Sequence, residues 1–160
     1  NNISGNPTTS LSSFVAQGGA ISANGTNASL LNLKADNVSY SLNFAGADTA
    51  MGGAIYANNT TAEISNATFS KNSVQAIGGN ANGGAVGLDN SSLSLTKTQF
   101  IQNSAKSING TAQGGALSVG TGSVVTLKGT DFTQNTVESA NSKGGAIYNN
   151  GTVSVLKGDF

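Results

Sequence analysis

The sequence predicts an all-β protein: a right-handed parallel β-helix of about five coils, roughly 31 residues each. Three observations carry that prediction. A Gly-Gly-Ala motif recurs at a nearly constant interval, apolar residues alternate with polar ones inside each repeat, and turn-forming residues separate the alternating stretches. The motif opens at Gly18-Gly19, Gly52-Gly53, Gly83-Gly84, Gly114-Gly115 and Gly144-Gly145, with starts 34, 31, 31 and 30 residues apart. A fixed opening at such a period marks a solenoid and outranks any local reading of secondary structure. Residues 18–160 are therefore read as β-helix repeats, with coils starting near 18, 52, 83, 114 and 144. Residues 1–17 form an N-terminal segment with a partial coil around Leu11 to Phe14.

Within a coil, the glycine pair comes first. No pair lies in a Gly-x-Gly-x-x-Gly or Gly-Lys-Ser/Thr pattern, so a tight backbone entry into a strand is expected rather than phosphate binding. The opening strand follows, with Ile21 and Ala23, Ile55 and Ala57, Val86 and Leu88, or Leu117 and Val119 facing inward. Ser22, Tyr56, Gly87 and Ser118 face outward between them. Next stand Asn24-Gly25-Thr26, Asn58-Asn59-Thr60, Asp89-Asn90-Ser91, Gly120-Thr121-Gly122 and Asn149-Asn150-Gly151, residues that tolerate positive φ. Hairpins could use the same residues in an antiparallel meander. The constant period favours coils stacked about 4.8 Å apart, so that five rise about 24 Å.

A second strand alternates in Leu93-Ser94-Leu95, Val125-Thr126-Leu127 and Val153-Ser154-Val155. Its last inward aliphatic is followed five residues later by a bulky apolar one: Leu33 and Val38, Ile64 and Phe69, Leu95 and Phe100, Leu127 and Phe132, Val155 and Phe160. A third strand is expected in each repeat. Ile21, Ile55, Val86, Leu117 and Ile147 are expected to form one buried column, and Leu33, Ile64, Leu95, Leu127 and Val155 another. Three positions beyond the phenylalanines stand Asn72, Asn103 and Asn135. In register, such amides can each donate to one neighbour and accept from the other, a ladder that satisfies a buried turn. Residues 45–51, 75–82, 104–113 and 138–143 vary most between repeats and are expected to be loops on a rigid scaffold, where recognition resides.

Composition narrows the chemistry. The chain has no His, Cys or Trp, and because its seven basic residues are all Lys it has no Arg. Ser-His and Cys-His nucleophile pairs, His/Cys zinc sites and Arg clamps are excluded. Seven acids balance the lysines, leaving no net field to attract nucleic acid. Asp131 and Asp159 precede the bulky apolar position, but Asn37, Thr68 and Gln99 share that column, too mixed for a catalytic or calcium cluster. No catalytic residue, metal or cofactor is therefore expected. Lys34, Lys97, Lys128 and Lys157 follow the second strand's inward aliphatics, either as a weak basic ridge or as solubilising strand ends. No apolar run approaches the roughly 20 residues of a membrane span.

Repeated Gly-Gly-Ala-Ile/Leu/Val interleaved with Phe-x-x-Asn resembles the passenger domains of chlamydial polymorphic outer-membrane proteins and related autotransporter adhesins, from about Gly18 to Phe160. Two departures are the absence of the cysteines common in chlamydial members, and Val38 and Ser41 where Phe and Asn stand in the other coils. The resemblance implies a β-helix exported across the outer membrane and displayed at the cell surface. The leading expectation is a non-enzymatic scaffold in adhesion, with a surface receptor or glycan as partner. Alternatives are a self-assembling extracellular fibre stacked head to tail and, with least support, a polysaccharide-active enzyme of the same fold. Because Val153 to Phe160 resembles no polar cap, further coils or another copy are expected to cover the C-terminal coil.

Overall fold

The computed structural model describes residues 2–4, 15–26 and 31–157. Leu11 to Phe14, Asp159 and the Phe160 paired above with Val155 lie outside the described residues. The rest is a parallel β-solenoid of about four turns, close to the five coils expected, with no helix among the described residues. Among the described residues, no helix is therefore long and apolar enough to cross a membrane.

Each coil contributes to five stacked parallel sheets, more than the two or three strands the alternation predicts. In the third full repeat these are Val86–Asp89 in the opening sheet, Ser92–Thr96 in the second, Gln99–Ile101 in the third, Ser104–Ser107 in the fourth and Ala112–Gln113 in the fifth. The corners are made by residues with positive φ. Asn59, Asn90 and Gly122 turn the chain into the second sheet; Asn37, Asn66, Lys97 and Gly129 turn it into the third; Leu42, Lys71, Gln102 and Gln134 turn it into the fourth. Outside Gly and Asn, that conformation costs about 1–2 kcal/mol per residue. The Leu, Lys and Gln corners into the fourth sheet therefore need compensation, and the hydrogen-bonded asparagine directly after each of them supplies it.

Two cores run along the axis. The larger, between the first three sheets, holds the column Ile21, Ile55, Val86, Leu117 and Ile147, in direct register as the alternation predicts. The smaller, between the fourth and fifth sheets, is built mainly of alanine, with Ala45, Val74 and Ala105 facing Ala50, Ala81 and Ala112. Segments expected to be loops are thus mostly strand: residues 44–47 and 49–51, 73–76 and 81–82, 104–107 and 112–113 are paired and bury an apolar face. Only their connections, Asp48, residues 77–80 and residues 108–111, leave the sheets. Alanines at single inward positions are too small and too few per strand to register as a periodic pattern.

The second column departs from expectation in the first coil. Ile64, Leu95, Leu127 and Val155 are in register, but the residue opposite Ile64 is Ala35; Leu33 pairs with Ala62 one step earlier. Val155 is 46% exposed, at the far edge of the stack. The same two-residue offset moves the aromatic position. Tyr40, not Val38, aligns with Phe69, and Ser41 aligns with Ser70 rather than with an asparagine. The first coil therefore carries Tyr40-x-x-Asn43 in place of Phe-x-x-Asn, and Ser39, not Asn37, shares the column of Thr68, Gln99 and Asp131.

Candidate functional site

The two sequence motifs meet inside each coil. The first glycines, at 18, 52, 83, 114 and 144, have φ between +63° and +68°. A Cβ on Gly52 would lie 2.0 Å from the carbonyl oxygen of Ile55, so the turn into the opening strand excludes any side chain. The second glycine meets something else. A Cβ on Gly84 would stand 2.0 Å from Gly115 O and 2.6 Å from the nitrogen of Ser104, the residue after Asn103. Gly53 against Ser73 and Gly115 against Thr136 repeat that contact. The glycine pair and the asparagine corner thus pinch the coil into a waist between its two cores.

On the large-core side of the waist, Tyr40, Phe69, Phe100 and Phe132 stack with centroids 4.7, 4.7 and 4.9 Å apart and planes within 10°. At the waist itself runs the ladder. Asn72 Oδ1 accepts from the backbone N–H (3.0 Å) and the Nδ2 (2.9 Å) of Asn43; Asn103 Oδ1 accepts the same pair from Asn72, and Asn135 Oδ1 from Asn103. Each Nδ2 spends its other hydrogen on the aromatic carbonyl one coil back: Asn72 on Tyr40, Asn103 on Phe69, Asn135 on Phe100. Asn72 and Asn103 are fully buried and use both amide hydrogens and both lone pairs.

A second ladder escaped the sequence reading. Thr60 N–H donates to Ser91 Oγ at 3.1 Å and Ser91 N–H to Ser123 Oγ at 3.2 Å, while the Ser91 hydroxyl returns to Asp89 O. All three residues are buried. The available signal was a hydroxyl directly after each positive-φ corner, Asn59, Asn90 and Gly122. The four lysines, by contrast, form no ridge. Lys34 pairs with Glu63 at 3.1 Å in the second sheet, Lys97 occupies a corner, and only Lys128 and Lys157 share a register position. Among the described residues no group of acids could hold a metal ion.

The outer face of the opening sheet holds a polar cleft of about 270 Å³. Its floor is the outward column Tyr56, Gly87, Ser118 and Tyr148, in register across four coils. Gly87 contributes only backbone, and a Cβ there would come within 3.1 Å of Gly52 N and 3.2 Å of Asn82 O. One wall is the outward column of the fifth sheet, Met51, Asn82 and Gln113; the other comes from Asp89 at the end of its opening strand and the turn residues Thr121 and Asn150. Tyr56 Oη donates to Asp89 Oδ2 at 3.0 Å, and Asn150 Nδ2 to Thr121 Oγ1 at 3.0 Å. Burial first, then the Asp89 charge and hydrogen bond, push the Tyr56 phenol well above its ordinary range, so it stays a donor. Asn82 Oδ1 is buried here without a hydrogen-bond partner.

Residues 129–150 match the model of the Chlamydia polymorphic membrane protein repeat. This stretch of the chain is similar to that repeat. The matched stretch contains Phe132, Asn135 and Gly144-Gly145-Ala146-Ile147. The stretch similar to the polymorphic membrane protein repeat therefore runs from one aromatic position through the asparagine corner to the next glycine turn, the elements that make the waist. No curated protein and no solved structure matches the chain.

Proposed function

We propose that this chain is a non-enzymatic part of a surface-displayed β-solenoid that serves adhesion or interaction with another cell. The observation that carries the reading is the match to the polymorphic membrane protein repeat at 129–150, a family that points to the outer membrane or cell surface. The architecture suits the role. Coil-to-coil contacts consume the interior polar groups of the ladder, leaving sequence variation for the outer faces and the short connections at residues 77–80 and 108–111. A rigid stack with variable outward positions presents contact area without ordering flexible loops.

The test is attachment. Beads coated with the folded chain are expected to adhere to cultured animal cells above beads coated with the heat-unfolded chain. Equal adhesion of the two preparations removes the reading.

A further inference from the structure

We infer that the cleft over Gly87 is a binding site for a single neutral sugar unit. The inference rests on the proposed recognition role and gives it a ligand class. In this column the cleft is lined by the side chains of Tyr56, Ser118 and Tyr148 and by the backbone of Gly87. At about 270 Å³ the cleft lies near the lower end of small-molecule sites, roughly 300–1,000 Å³, and suits one sugar ring rather than an extended chain.

The polar groups select a polyol. Asn82 Oδ1 is a buried acceptor with no donor, a state that folded proteins rarely keep. Asn82 stands in the cleft wall, so a turn of its side chain brings this oxygen to a ligand hydroxyl, which gives it the missing hydrogen and accepts in turn from its neighbours. Ser118 and Thr121 hydroxyls and the Gln113 amide both donate and accept, and the Asp89 carboxylate accepts. Only a ligand that alternates donors and acceptors around its rim matches such a set. Tyr148, at the end of the column, is partly exposed, and its electron-rich face attracts the polarised C–H groups on one side of a sugar ring.

Charge excludes the neighbouring classes. Among the described residues lining the cleft, one carboxylate is present and no ammonium group, so anionic sugars are repelled. A quaternary ammonium needs open aromatic faces around it. Tyr56 is only 4% exposed and its hydroxyl is held by Asp89, which leaves Tyr148 as the accessible ring.

The experiment is amide-shift and saturation-transfer NMR on the whole chain. The probes are the methyl glycosides of glucose, galactose, mannose and N-acetylglucosamine, with sialic acid and tetramethylammonium alongside. At least one neutral glycoside is expected to move the Gly87 and Ser118 amide signals. Asn82→Leu and Tyr148→Ala should each weaken that binding about tenfold or more, a loss of about 1.4 kcal/mol. Melting curves establish that the variants fold; Ser118→Ala, a smaller change, replaces either one that does not. Binding by no neutral glycoside, binding only by sialic acid or tetramethylammonium, or binding unchanged in the folded variants overturns the inference. Bead attachment measured in parallel separates the two readings: adhesion without sugar binding removes the sugar and leaves the recognition role, and loss of both removes both.

Discussion

Asn103 shows how much depends on one amide. Its side chain makes four hydrogen-bond contacts with the two neighbouring coils, so Asn103→Ala removes the acceptor of the Asn72 backbone and side-chain N–H groups, takes the Nδ2 donor from the carbonyl of Phe69, and leaves Asn135 Oδ1 with the backbone donor alone. A loss of about 1–3 kcal/mol in urea denaturation is expected; a variant as stable as the parent would contradict the ladder's role. The glycines make a sharper comparison. Gly84→Ala drives a Cβ into Gly115 O and Ser104, whereas an added Cβ at Gly145, the equivalent residue of the last coil in this chain, meets nothing within 4 Å. Gly84→Ala should abolish cooperative melting, and Gly145→Ala should leave the melting temperature almost unchanged. Tyr56 adds a pH dependence. Its phenol is raised in the fold, so the stabilisation it gives is complete below about pH 10 and lost as pH rises from there. Tyr56→Phe should therefore flatten the fall of stability above pH 10, followed by circular dichroism. At this scale the phenylalanines and their asparagines were legible from spacing alone. Tyr40 and Asn43 were not, because the inward residue five positions before Tyr40 is Ala35, too small to read as a core aliphatic, and Leu33 nearby drew the register two residues early.

At the level of the strand, the second sheet is where hydrophobic burial concentrates. Leu93 and Leu95 both face the large core, with Leu95 fully buried between Ile64 and Leu127. Leu95→Ala is expected to cost about 2–5 kcal/mol, and Leu95→Asp to prevent folding by placing an unpaired charge in that column. An unchanged melting curve for Leu95→Asp would refute the column. Strands with alternating Leu, Ile or Val were visible in the sequence because two large residues at period two leave a clear signal. The fourth and fifth strands gave none: each buries one or two alanines or a valine, and the variable composition around them reads as loop. The same blindness hid the cleft. Its lining comes from two sheets and the corners of several coils, so no contiguous stretch of sequence announces it, although tyrosine at the outward position in only two of the repeats was a usable hint.

Considered as a whole, the molecule is a stack of nearly interchangeable units. Asn82 and Gln113 occupy the same register position, each followed by a glycine pair. Excising residues 83–113 therefore joins one coil to the coil after next with every column in phase. The shortened chain should retain its β-sheet circular dichroism and melt cooperatively at a lower temperature, since nearest-neighbour contacts carry the stability of a solenoid. A deletion of the same size shifted by half a coil joins segments whose columns do not match, and should not fold. The asparagine ladder adds something that the sheets alone do not. In every rung, N–H groups of one coil point to the oxygen of the next coil toward the C-terminus. The column is a one-way street. A further coil at the C-terminal side brings an oxygen to meet waiting hydrogens, whereas two stacks brought together by their C-terminal ends set hydrogens against hydrogens. Any growth along this column, within a longer chain or between chains, runs in a single sense, so the direction of assembly is written into one side chain per turn.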